Sequence, residues 1–178
     1  MKTIQIRDKQ FELSIPEAEI QAAVRRVGDA INRDLADTDP LFICVLNGAF
    51  MFAADLMKIV NFPCEITFVK LSSYEGIYTT GSVKEVIGLN ESVVGRNVVV
   101  VEDIVDTGNT LVELHRILKE KKVKSLKVAT LLFKPDAYKK DLKVDLVGIS
   151  IPDKFVVGYG LDFDGLGRNL PDIYQIKH

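Results

Sequence analysis

At 178 residues, 47% hydrophobic and 27% charged, the chain has the profile of a folded protein with one sizeable core, so one domain is expected over residues 1–178. A formal net charge of -2 supplies no global positive field to draw in nucleic acid or an anionic membrane surface, and neither is expected as a partner. Cys44 and Cys64 lie in apolar runs, with His115 in a helical segment and His178 at the end. These are too few for a zinc site or a Ser-His-Asp triad, and the two thiols are expected to be buried and reduced.

The opening "MKTIQIRDKQ" has no apolar core of signal-peptide length, and no run approaches the roughly 20 apolar residues of a membrane span, so a cytoplasmic protein is expected. In "PEAEIQAAVRRVGDAINRDL", Ile20, Val24, Val27, Ile31 and Leu35 recur at helical spacing and predict an amphipathic helix, with Ser14 and Pro16 as start signals. "LFICVL" reads as a buried strand, "NGAFMFAADLMKIV" as a turn into a helix, and "CEITFVKL" as a further strand. A polar stretch, "SSYEGIYTTGS", reads as a loop.

Next, "NVVVVE" feeds the helix "TLVELHRILKE", which carries Leu111, Leu114, Ile117 and Leu118 on one face. "SLKVATLLFK", "KVDLVGISI" and "FVVGYG" follow as short β-branched strands. Strands alternating with amphipathic helices predict an α/β fold on a central, mostly parallel sheet. Ligands on such sheets sit beyond the carboxyl ends of strands, where Glu102 and Asp103 fall.

The segment "VVVVEDIVDTGNTL" carries the chemistry. At a strand-to-helix turn, the backbone N–H groups of Thr107 to Thr110 can converge on a phosphate at the positive end of the helix dipole. The Thr107 and Thr110 hydroxyls add donors, and Gly108 permits close backbone approach. Glu102 and Asp103 suit either the two hydroxyls of a ribose or a hydrated Mg²⁺ that neutralises further phosphates. The bland alternative is helix capping, but capping needs one such residue and here a whole cluster is present. An acidic strand end also occurs in nucleotide-hydrolysing P-loop proteins, yet no G-x-x-x-x-G-K-[ST] loop exists in this chain. "DTG" also occurs in aspartic proteases, which are β-rich, whereas here it opens a helix.

This motif resembles the phosphoribosyl-pyrophosphate signature of type I phosphoribosyltransferases. "VLNGAFMFAADL", "SSY", "ATLLFK" and "IPDKFVVGYGLDF…GRNLP" narrow the resemblance to the hypoxanthine-guanine phosphoribosyltransferase family, in the right order over about residues 40–174. The resemblance implies an α/β fold with flanking helices, a small hood and a mobile lid loop. It implies Mg²⁺-dependent transfer of the phosphoribosyl group of phosphoribosyl pyrophosphate to a 6-oxopurine, in a homodimer or homotetramer.

The resemblance also distributes roles. Glu102 and Asp103 hold the ribose end and Mg²⁺. Asp106 meets the attacking imidazole-ring nitrogen and shares its proton, while Thr107, Gly108, Asn109 and Thr110, with Asp106, form the 5′-phosphate loop. Lys134 meets the six-position carbonyl of the purine, which disfavours the amino group of adenine. Phe155 stacks on the base and Val156 reads its edge through the backbone. Asp162 lies beside the purine near a second Mg²⁺.

Arg168 contacts pyrophosphate with its planar fork. Leu46, Asn47 and Gly48 match the pyrophosphate loop, often seen with a cis peptide; family members often carry Lys or Arg where this chain has Asn47, which adds no charge. Ser73 and Tyr74 match the pair in the lid, expected over Ser73 to Ser82. Two other functions fit the same scaffold. One is an RNA-binding regulator using the basic run "KEKKVKSLK", which Lys134 and Phe155 argue against. The other is a xanthine-preferring relative, which the base-site residues leave open.

Overall fold

The computed structural model of the protein describes residues 2–74 and 83–177. Its elements in chain order are β1 (Thr3–Ile6), β2 (Lys9–Ile15), α1 (Glu17–Leu35), β3 (Pro40–Val45), α2 (Phe50–Ile59), β4 (Glu65–Tyr74), β5 (Val83–Ile87), β6 (Asn97–Val105), α3 (Asn109–Glu120), β7 (Ser125–Phe133), β8 (Leu146–Ser150), β9 (Val156–Val157) and β10 (Ile173–Ile176). The central sheet runs β5-β4-β3-β6-β7-β8. Its members from β4 to β8 pair in parallel, and β5 lies antiparallel on the β4 edge.

The unbroken valine run of β6 is explained by two covered faces. Val99 and Val101 belong to the core under α1 and α2, with Phe42, Ile31 and Leu56. Val98 and Val100 point the other way, into the core under α3 with Leu111, Leu114 and Leu118. Alternate side chains of one strand thus anchor both layers. All the apolar positions expected on α1, namely Ile20, Val24, Val27, Ile31 and Leu35, are buried.

A second, antiparallel sheet has the order β1-β2-β10-β9 and corresponds to the expected hood. It encloses its own small core of Ile6, Phe11, Val157 and Tyr174. Two points differ from the sequence reading. "FVVGYG" does not extend the central sheet; β9 pairs with β10, and Gly158 turns the chain away at φ +108°. The polar-looking start of the chain forms the β1–β2 hairpin, which short amphipathic alternation did not reveal. Ser73 and Tyr74 close β4 in register with Lys84 and Val83 of β5, so they end a strand, and the remaining lid positions 75–82 lie outside the described residues.

Among the described residues no helix is long and apolar enough to cross a membrane. Both cysteines are free, Cys44 buried and Cys64 half-buried. Burial, followed by the nearby Glu102 and Asp103 charges, pushes the Cys44 thiol up to about 12.

The start of α1 is held from the far end of the chain. Pro16 occupies the cap position without a side-chain cap, and Ser14 is inside β2. The Glu17 N–H instead donates to Asp172 Oδ1 at 2.9 Å, and Asp172 Oδ2 accepts from Lys2 at 2.7 Å and from the Tyr174 hydroxyl at 3.2 Å. The Lys2 hydrogen bond, then the Glu17 N–H, hold the Asp172 carboxyl below the usual range. Asp172→Ala is expected to lower unfolding stability by about 1–2 kcal/mol, the size of a lost cap. Because the folded pKa is depressed, that contribution is present above the unfolded carboxylate pKa of about 4 and is lost as pH falls through the folded value. Urea titrations at pH 7 and pH 3 should therefore show the gap between wild type and variant closing in acid.

Candidate active site

The parallel strands deliver the site residues to one edge of the central sheet. Strand β6 ends with Glu102 and Asp103, its exit carries Asp106, and the turn through Thr107 and Gly108 opens α3. Gly108 takes the cap position at φ +81°, and no side chain among the described residues hydrogen-bonds to the helix start there. This speaks against capping as the purpose of the Asp and Thr cluster. The first turn of α3 is without a side-chain cap and, with the rest of residues 102–111, lines a cavity of about 270 Å³.

Gly108 is required for contact as well as for conformation. A Cβ there would overlap the Tyr138 ring, which is fixed edge-on to Phe133 at 5.4 Å and donates its hydroxyl to the Leu142 carbonyl at 2.6 Å. Tyr138 thus backs the cup, and nothing in its sequence setting signalled that.

A second cavity of about 150 Å³ adjoins the first, sharing Asp103, Ile104 and Asp106, and adds Lys134, Phe155, Val156, Asp162 and Arg168 to its walls. Lys134, just past β7, is 6% exposed. Its Nζ donates to Asp106 Oδ2 at 2.7 Å and to Asp153 Oδ1 at 3.1 Å. Burial alone lowers the lysine pKa, but the two carboxylates outweigh it and the net shift is upward, so the side chain is a fixed ammonium. Asp153 was not among the residues singled out from the sequence; in "IPDKF" it has no local signature.

Phe155 is 45% exposed and stands edge-on to Phe163 at 5.8 Å, offering a ring to the cavity, while Val156 is buried in β9. Arg168 is clamped by Asp162 Oδ1 at 2.7 Å and by the Gly160 carbonyl at 2.7 Å. Asp162 also accepts the Gly165 N–H at 2.8 Å.

Glu102 is buried and Asp103 half-buried, both in the wall of the larger cavity. Burial, with the Asp103 charge next, raises the Glu102 pKa well above its usual value. Burial lifts Asp103 to about 6, opposed by the Ile104 N–H that donates to it at 2.8 Å. Asp162 and Arg168 act on Asp103 in opposite senses, which places them within electrostatic reach of it. Even so, among the described residues no three acidic, histidine or cysteine groups converge as a ready-made metal site, so Glu102, Asp103 and Asp162 are not gathered into one cluster.

The Leu46–Asn47 peptide is cis, as the resemblance implies. The loop lies directly on the acidic pair: a Cβ on Gly48 would overlap the Asp103 carboxylate, and one on Gly160 would overlap the Gly48 carbonyl. Leu46, Asn47 and Gly48 are therefore brought to the same edge as Asp103 and the Gly160–Arg168 segment.

Residues 16–164 match the phosphoribosyl transferase domain family. The chain is 44% identical to a hypoxanthine-guanine phosphoribosyltransferase of Bacillus subtilis over 164 residues, 92% of this chain and 91% of that protein. The chain belongs to the hypoxanthine-guanine phosphoribosyltransferase family. A hypoxanthine phosphoribosyltransferase of Salmonella typhimurium is 43% identical over 168 residues, covering 93% of this chain and 94% of the relative. The crystal structure of a hypoxanthine phosphoribosyltransferase from Staphylococcus aureus superposes with a TM-score of 0.85 at 38% identity, covering 93% of this chain and 91% of that one.

For a phosphoribosyltransferase, the Gly48–Asp103 contact predicts a sharp sensitivity. Gly48→Ala must displace either the loop or the Asp103 carboxylate, and misplacement of this order costs about 100-fold in turnover. The variant should remain folded by circular dichroism and lose phosphoribosyl transfer by roughly that factor; unchanged steady-state kinetics would show that the loop yields freely.

Proposed function

We propose that the protein joins phosphoribosyl pyrophosphate to a 6-oxopurine, hypoxanthine or guanine, giving the nucleoside monophosphate and pyrophosphate in purine salvage. One observation carries this reading: an uncapped helix start suited to a phosphomonoester adjoins a cavity whose far wall holds a buried ammonium, with Asp106 common to both. Neither half has that use alone. A phosphate donor fits the first and a base with a carbonyl acceptor fits the second.

In this reading the 5′-phosphate rests on the N–H groups and hydroxyls of Thr107 to Thr110. The purine enters beside Phe155, with its six-position carbonyl toward Lys134 and its edge along the Val156 backbone. The imidazole-ring nitrogen forms the new bond to the anomeric carbon as the bond to pyrophosphate breaks. Asp106 lies within reach of that nitrogen and takes its proton, and its contact with Lys134 steadies it there. Leu46, Asn47, Gly48 and Arg168 receive the departing diphosphate, the guanidinium already oriented by Asp162. Ser73 and Tyr74, the last residues of β4, are the pair this reading assigns to the lid.

The donor set fits Mg²⁺. Glu102 and Asp103 are adjacent carboxylates whose charged forms burial disfavours, and a cation relieves that penalty. Mg²⁺ is commonly held by one or two carboxylates together with substrate phosphates and waters, which suits a pair with no third protein ligand. Held by Glu102 and Asp103 with substrate oxygens, Mg²⁺ would supply charge stabilisation for the leaving diphosphate. Asp162 lies on the same wall for a second ion. A cytoplasmic setting accords with two free thiols, and a homodimer or homotetramer with the family resemblance.

The test is product formation from phosphoribosyl pyrophosphate and Mg²⁺ with hypoxanthine, guanine, xanthine, adenine and uracil in parallel. The two 6-oxopurines are expected to react and adenine and uracil not. Asp106→Asn should lower kcat by about 10²–10⁴-fold, the range for a general base, and Lys134→Ala should erode the preference over adenine. Binding of phosphoribosyl pyrophosphate with no reaction of any base would overturn the assignment.

A further inference from the structure

Asp55 lies on α2 and lines neither site cavity. Three elements nevertheless converge on it. Its Oδ2 accepts from the Tyr159 hydroxyl at 2.6 Å and from Gln21 of α1 at 2.8 Å, and its Oδ1 pairs with Lys58 at 2.6 Å. Burial raises the Asp55 pKa, but the hydrogen bonds from Gln21, Lys58 and Tyr159 together bring it below its usual value, so the acceptor is charged and the bonds are strong.

Tyr159 is an unusual residue to find at that end. It is 2% exposed and sits at φ +48°, a region that non-glycine residues seldom enter. Its neighbours are bound tightly to the pyrophosphate side of the site. The Tyr159 N–H donates to the Leu170 carbonyl at 2.8 Å and the Gly160 N–H to the Arg168 carbonyl at 2.9 Å, while Arg168 Nη1 returns to the Gly160 carbonyl at 2.7 Å. Gly160 itself is pressed so closely onto the Gly48 carbonyl that no Cβ fits. The phenol therefore ties α2, which follows the Leu46–Gly48 loop directly, to the segment that carries Arg168.

We propose that Tyr159 is a positioning residue: through its hydrogen bond to Asp55 it holds the Gly160–Arg168 segment against the Leu46–Gly48 loop, so that both meet the diphosphate in one fixed geometry. This rests on the phosphoribosyl-transfer reading above. The base pocket shares Asp162 and Arg168 with this segment, but its other walls are held independently: Val156 is paired to Gln175 of β10 and Lys134 follows β7. Loss of the Tyr159 bond thus acts more strongly on diphosphate recognition than on the purine, whose contacts with Lys134, Phe155 and Val156 do not depend on it.

The experiment compares wild type with Tyr159→Phe, Asp55→Leu and Asp55→Asn. Steady-state kinetics with Mg²⁺ are combined with calorimetric titration of pyrophosphate, which needs no turnover. Phenylalanine keeps the ring and its packing, and asparagine keeps an oxygen acceptor for the phenol. In Tyr159→Phe and Asp55→Leu, the KM for phosphoribosyl pyrophosphate and the Kd for pyrophosphate are expected to rise roughly tenfold, as for loss of a charge-assisted hydrogen bond. The KM for hypoxanthine should stay within about twofold. Asp55→Asn, which keeps an acceptor for the phenol but not the charge, should fall between wild type and Asp55→Leu, and the Tyr159→Phe/Asp55→Leu double variant should be no worse than either single change.

A Tyr159→Phe variant with a lower Tm but unaltered pyrophosphate affinity would show a purely structural tyrosine and overturn the proposal. An equal rise in both KM values, or Asp55→Asn behaving as Asp55→Leu, would overturn it too. Wild-type protein inactive with every base would count against the transferase reading instead, and the pyrophosphate titrations would still decide the role of Tyr159.

Discussion

The contact on which the site depends is the buried ammonium of Lys134 between Asp106 at 2.7 Å and Asp153 at 3.1 Å. A lysine at this depth would give up its proton if left alone, and the paired carboxylates reverse that tendency. Its position is set by the sheet: β6 and β7 are parallel neighbours, with Val105 opposite Phe133, so their exits bring Asp106 and Lys134 together. One ion pair thereby joins the two cavities of the site. The dependence runs one way: the carboxylates are partly exposed, whereas the Lys134 charge is buried and without them would be left uncompensated.

The same edge places the adjacent carboxylates of buried Glu102 and half-buried Asp103 side by side, an arrangement that is unfavourable in the protein alone. Burial raises both Glu102 and Asp103, and Asp103 adds to the rise at Glu102. The cost makes sense if substrate and cation enter together, because the cation then sits between like charges. Arg168 already lowers Asp103, but it is shared with Asp162 and the Gly160 carbonyl and cannot neutralise the pair. The electrostatics of the protein alone thus leave room for further positive charge.

Much of this was legible in the sequence because it is local. The valine run of β6, the acidic exit and the Thr-Gly-Asn-Thr turn are contiguous, and the stripes of α1 and α3 repeat at helical spacing. Assignments that failed depend on pairing between distant segments. β9 has only two residues, and its partner β10 is encoded near the other end of the hood segment, so "FVVGYG" looked like one more parallel strand. The α1 cap is another case: Asp172 replaces the nearby Ser14 because the β2–β10 pairing carries it to the helix start. Asp153 and Tyr138 act through contacts that no spacing rule encodes.

Glycine contacts explain how residues so far apart in sequence form one rigid wall. Gly48 lies against the Asp103 carboxylate and Gly160 against the Gly48 carbonyl, so three segments meet at close range with no side chain on either glycine to act as a spacer. Such contacts are short-ranged and have little tolerance, since a displacement that a long side chain would absorb instead opens a gap or creates an overlap. They therefore need restraint from outside the contact itself. On the sheet side that restraint is the parallel pairing of β3 with β6, which fixes Val45 and the loop after it relative to Asp103. On the hood side it is the β9–β10 pairing together with the Asp55–Tyr159 hydrogen bond, which anchors the one strained residue between Gly158 and Gly160 to a helix of the main layer.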